Sequence, residues 1–239
     1  MAQEHTVKSY DEELNQLRSM ISRMGGLAEA QLTGAIEALT ERNAEKAQRI
    51  IAADRSLDIL EQEIESQAIQ MIALRSPMAD DLREIVAAIK ISSTLERIAD
   101  YAKNVAKRSI VLNQSEHVKP AVLIPQMVEL TKVMLKDALD AYIDRDAQKT
   151  IMVWESDKGV DELYNSLFRE LLTYMMENPR LITPCTHILF IAKNIERIGD
   201  HVTNLAEIVY YQVKGETLDM NRPKSDDTSF AVVPPPANT

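Results

Sequence analysis

ERIADYAKN at residues 96–104 and ERIGDHVTN at residues 196–204 are one pattern written twice. Glu, Arg, Ile, Asp and Asn recur at identical spacing, one hundred residues apart. The copying extends outward. At an offset of 103, Met24, Leu27, Leu32, Ala35 and Ala38 are matched by Met127, Leu130, Leu135, Ala138 and Ala141. Arg42, Ala44 and Lys46 then match Arg145, Ala147 and Lys149, and Asp54, Asp58 and Leu60 match Asp157, Asp161 and Leu163. The fall in offset from 103 to 100 means that the second copy is three residues shorter before its third segment. Shared composition does not hold one offset across several segments, whereas duplication does. The two copies are expected over 9–111 and 122–214.

Each copy reads as three helices. Between the interior prolines, Pro77, Pro120, Pro125, Pro179 and Pro184, apolar residues recur at three and four, the helical period. Helices are predicted near 9–41, 45–74, 78–111, 122–144, 147–177 and 184–214. Ser76-Pro77 and Thr183-Pro184 read as N-caps followed by a proline in the first turn. Short turns make consecutive helices antiparallel neighbours. The expected fold class is therefore all-α: two tandem three-helix bundles, six helices in all, packed side by side about a pseudo-twofold. Residues 221–239 lose the period, end in PPPANT and read as a disordered tail.

Composition agrees and narrows the function. The chain has 239 residues, 45% of them apolar, 5% aromatic and 6 of them Gly, which favours helix over sheet. A net charge of −10 argues against nucleic acid, whose phosphates are bound by clustered Lys and Arg. Cys185 is the sole cysteine, so an internal disulfide and a thiolate metal cluster are excluded. The N-terminus lacks the basic and apolar regions of a signal peptide, and no apolar run reaches the roughly 18 residues of a membrane span. The expectation is a cytoplasmic protein that reaches a membrane complex through protein partners, without direct membrane insertion.

The repeated acids mark a candidate site. Glu196 and Asp200 lie four apart, about 40° around a helix, and Asn204 continues the stripe. The apolar seam of that helix, Ile191, Ile195, Ile198, Val202, Leu205 and Val209, lies roughly opposite. In the first copy Glu96, Asp100 and Asn104 stand in the same relation to Ile91, Leu95, Ile98, Ala102 and Val105. A second pair lies on each middle helix: Asp54 and Asp58, then Asp157 and Asp161, at the rim of the packed face. Antiparallel packing of the second helix on the third aligns the pairs, giving four carboxylates on an exposed ridge in each repeat. Like charges held together raise each other's pKa, and a multivalent cation relieves the repulsion. Carboxylate and Asn oxygens suit Mg²⁺, Ca²⁺, Mn²⁺ or Fe³⁺. Spacing alone leaves a second reading open, ordinary ion pairs with Arg55, Arg97, Lys158 and Arg197.

The paired ERIxD…N and DxxxD segments, with RSPMADDLREIVAAIKIS at 75–92, resemble the PhoU family over about 9–214. The resemblance implies a fold of two three-helix bundles. It implies negative regulation of the phosphate-starvation regulon and of phosphate uptake, linking a phosphate transporter's ATPase subunit to a sensor histidine kinase. It also implies a homodimer and, in some relatives, iron or zinc clusters on the acidic motifs. By position, the ligands it implies are Asp54, Asp58, Glu96 and Asp100, then Asp157, Asp161, Glu196 and Asp200, with Asn104 and Asn204 as additional ligands. Ala99 and Tyr101 stand where the second copy has Gly199 and His201, so the two sites are expected to be unequal.

Other residues carry less. His5 and His117 read as solvated, and His187 as a capping or packing residue at the start of the last helix. Cys185 lacks a basic or metal-ligand partner in sequence and reads as structural. Met24, Met127, Met134, Met175 and Met176 read mainly as core. No Gly-rich phosphate cradle is present, so no nucleotide or catalytic chemistry is expected. A carboxylate-bridged di-iron enzyme is the alternative from another class. It calls for Glu-x-x-His with inward ligands, and no Glu here stands three residues before a His.

Overall fold

A computed structural model describes residues 2–115, 118–218 and 228. It is built from helices: α1 (Ala2–Thr40), α2 (Ala44–Ala53), α3 (Arg55–Arg75), α4 (Asp80–Leu112), α5 (Leu123–Asp144), α6 (Ala147–Glu177) and α7 (Ile182–Lys214). Helices α2 and α3 form one rod broken at Asp54, so the six expected rods are present. Short 3-10 turns at Lys119–Val122 and Pro179–Leu181 lead into α5 and α7. The side chain of His5, all of His117 and the expected tail at 221–239, apart from Thr228, lie outside the described residues.

The same turn closes the first helix of each repeat. Arg42 and Arg145 take the left-handed conformation, φ 51° and 54°, and the next residue caps the following helix. Asn43 Oδ1 accepts from the Lys46 amide, and Asp146 Oδ1 accepts from the amides of Gln148 and Lys149. Lys46 Nζ then reaches back to Glu37 at 2.5 Å, as Lys149 Nζ does to Asp140 at 3.1 Å. The matched Arg and Lys are therefore turn residues.

Three features depart from expectation. The second helix was predicted unbroken. The ladder is interrupted for one residue at Asp54, whose backbone stays helical: the Leu57 amide bonds to the Asp54 carbonyl at 2.9 Å and Ser56 Oγ donates to the Ala53 carbonyl at 2.6 Å. Position 159 of the unbroken α6 is the equivalent one, and it holds Gly, without a hydroxyl. Ser76 is not an N-cap: it ends α3 in the left-handed conformation, its amide bonded to the Ile72 carbonyl, and α4 starts at Asp80. Thr183 likewise lies inside α7, which begins one residue earlier, after Leu181.

The core runs through both repeats. The predicted seams of α4 and α7 are all fully buried, and Leu57, Leu60, Ile64, Val153, Val160 and Leu167 complete the interior. Met24, Met127 and Met134 are buried, Met175 packs on the edge of the core, and Met176 is exposed, contrary to its reading as core. Helix α4 packs on α1, on the α2–α3 rod and on α7, and α7 on α4, α5 and α6, so these two are the inner helices of the molecule. They run antiparallel. Tyr101 stacks on His201, its equivalent in the other repeat, and Arg108 reaches back to His187 and Phe190. Equivalent residues meeting face to face place the pseudo-twofold at that stack.

Candidate metal centre

In the first repeat the acids gather between the α2–α3 break and α4. Asp54 is buried there, and its Oδ1 accepts from Gln31 Nε2 at 3.1 Å. Its Oδ2 lies 2.5 Å from Lys103 Nζ, which also stands 2.6 Å from Asp100 Oδ1. Asn104 Nδ2 donates to Asp100 Oδ2 at 3.2 Å. Glu96, one turn before Asp100, is half-buried, and its carboxyl is held above the usual range. Burial is the first cause, and the charges of Glu61, Asp100, Asp58 and Asp54 add to it. Glu61 is the residue that sequence reading passed over. It lies three after Asp58 on the same helix face, but its counterpart at 164 is Tyr, so the repeat did not flag it.

The second cluster is deeper. Asp157, Asp161 and Glu196 are 1%, 3% and 4% exposed, and Asp54 of the first cluster is 6% exposed. The expected exposed ridge is therefore replaced by a seam buried between α6 and α7, with half-buried Asp200 beside it. An inner helix is covered on several sides, so the face opposite one apolar stripe packs against another helix. Gly199 makes room for this approach: a Cβ there would stand 2.9 Å from Asp157 Oδ1. Lys193 Nζ lies 2.8 Å from Glu196 Oε1 and over the Tyr164 ring. Asn204 is exposed.

Lysines outside the expected set make short ion pairs here, Lys103 with Asp54 and Asp100 and Lys193 with Glu196. Of the expected cations, Arg197 acts on Glu196 and Asp200 through its charge while it sits over the Tyr101 ring and donates to its hydroxyl at 3.3 Å. Lys158 pairs with Glu162, and Arg55 and Arg97 are exposed. His201 lies at the interface as the stacking partner of Tyr101, ring centroids 5.5 Å apart. Cys185 is fully buried, which pushes its thiol up and suits the structural reading.

The PhoU domain family model matches this chain twice, over 21–109 and 124–209, each match spanning one acidic cluster. The chain belongs to the PhoU family. A phosphate-specific transport system accessory protein PhoU homolog from Caulobacter vibrioides is 52% identical over 224 residues, 93% of this chain and 97% of that protein. The PhoU of Edwardsiella tarda is 38% identical, covering 89% and 87%. Among solved structures, PhoU from Pseudomonas aeruginosa superposes with a TM-score of 0.84 at 38% identity, covering 87% of this chain and all of that one. The phosphate transport system regulatory protein PhoU from Streptococcus pneumoniae gives 0.81 at 28% identity, covering 88% and 100%.

Family resemblance implies iron or zinc on these carboxylates, and spacing admits manganese or magnesium. The donor chemistry is right, since carboxylate oxygens bind hard cations. The arrangement is not. Among the described residues no three His, Cys, Asp or Glu side chains converge as a metal requires. In the first cluster, the gap between Asp54 and Asp100 is spanned by the Lys103 ammonium. As folded, these residues do not fit a metal ion.

Proposed function

We propose that this chain is a non-catalytic accessory protein of a phosphate-specific transport system. It restrains phosphate uptake and represses phosphate-starvation genes when phosphate is plentiful. It acts as a homodimer in the cytoplasm by contact with the transporter's ATPase subunit and a phosphate-sensing histidine kinase. The observation that carries this reading is the match of both repeats, over nearly the whole chain, to relatives bearing the accessory-protein name.

The surface supports action by contact. Exposed apolar side chains flank two turns, Leu74, Met78 and Leu82 between α3 and α4, Met176 and Ile182 between α6 and α7. No helix of the described residues is long and apolar enough to cross a membrane. The net charge of −10 disfavours adhesion to anionic lipid, so recruitment falls to proteins. The test is a deletion strain carrying a phosphate-starvation reporter. High expression in phosphate-rich medium, restored to low by the wild-type gene, is the expected result. Unchanged repression would overturn the proposal.

A further inference from the structure

We propose that Lys103 is the built-in cation of the first acidic cluster and keeps that cluster closed to metal ions. Asp54 comes from the α2–α3 break, Asp58 and Glu61 from α3, Glu96 and Asp100 from α4. The Lys103 ammonium stands between the two whose oxygens a bridging metal would need, 2.5 Å from Asp54 Oδ2 and 2.6 Å from Asp100 Oδ1. The other oxygen of each is engaged, by Gln31 Nε2 at 3.1 Å and by Asn104 Nδ2 at 3.2 Å. An ion entering here must expel a side chain that is 20% exposed and whose ammonium donates to two carboxylates. The ammonium is tethered one turn from Asp100, so it competes as an intramolecular ligand against a free ion.

The duplication sharpens the assignment. Asp54, Asp58, Glu96 and Asp100 all have acidic counterparts, but position 203, the equivalent of 103, is Thr. The Thr203 hydroxyl is turned onto the Asp200 carbonyl at 2.7 Å. The second cluster meets its lysine, Lys193, at the opposite end, on Glu196. The same carboxylates are thus neutralised differently in the two repeats. This inference stands apart from the phosphate reading.

The test uses the full chain, stripped with chelator and titrated with Mn²⁺, read by paramagnetic broadening of assigned backbone amide signals. In the wild type, signals around Asp54 and Asp100 should stay sharp at Mn²⁺ concentrations that broaden them in Lys103→Met. The gain in affinity at that site should be on the order of tenfold or more. Adding Asp100→Asn to Lys103→Met should abolish the gained site, and Lys103→Arg, which keeps the charge, should behave as wild type. Broadening around Asp54 and Asp100 in the wild type at the lowest Mn²⁺ additions would overturn the proposal, as would a folded Lys103→Met without the gain. Should Lys103→Met fail to fold, the wild-type and Lys103→Arg broadening maps decide.

Discussion

Gly199 shows how much one missing methyl group permits. Asp157 reaches α7 because position 199 has no Cβ, while the first repeat carries buried Ala99 at the same place. Gly199→Ala should force the Asp157 carboxylate aside and destabilise the protein by roughly 1–3 kcal/mol, despite Ala's better helix propensity. Urea denaturation of both chains checks this, and equal midpoints would mean that the seam yields freely. His187 carries a pH signature. Burial and Arg108, 3.5 Å from its Nδ1, hold its pKa below 6.5. The unfolded chain therefore binds the proton more readily, so His187 stabilises least on the acid side. Its contribution is complete above about 6.5 and is lost as pH falls through the lower folded value. His187→Gln should flatten the Tm-against-pH curve in that window, with little change at pH 8.

At the scale of the helix, the apolar seam carries the stability and the acidic seam sits beside it at a cost. Ile198 is fully buried on α7, two residues before Asp200. Ile198→Ala should cost roughly 2–5 kcal/mol in chemical denaturation, with or without chelator, because the cavity is apolar. The acids were legible as a repeated helical spacing, but their burial was not. A helical-wheel argument places residues relative to one seam, and α4 and α7 each pack on three helical rods. Glu61 was hidden for a related reason: duplication draws attention to positions that match, and 61 matches Tyr164. Lys103 was hidden in the same way by Thr203.

Across the whole molecule, the repeats are joined by more than the α4–α7 stack. Glu84, 2% exposed on α4, accepts from Arg18 of α1 at 2.5 and 2.9 Å and from Arg145 of the second repeat at 2.9 Å. Arg42, the counterpart of Arg145, turns to the carbonyls of Leu112, Asn113 and Ser115 at the end of α4. Two arginines in identical turns thus serve opposite ends of one helix. Glu84→Gln should lower stability by about 1–3 kcal/mol, a buried charge-assisted network discounted for arginines that are 40% and 39% exposed. It should also loosen the two repeats against each other, which hydrogen exchange around Arg18 in α1 and at the end of α5 would register. Exchange confined to its wild-type rate would show the network to be dispensable for that junction.

From the sequence by itself came the duplication, the order and type of the six helical rods, the buried seams and the candidate acids. These follow from local periodicity and from identity between copies, which are properties of the chain. Tertiary structure alone decided that the acids lie between helices rather than outside them, and that lysines one turn away make short ion pairs with Asp100 and Glu196. It also decided that Arg42 and Arg145 serve different partners. Which charge meets which depends on how six helices enclose one another, and that enclosure is set by packing of the whole chain against itself.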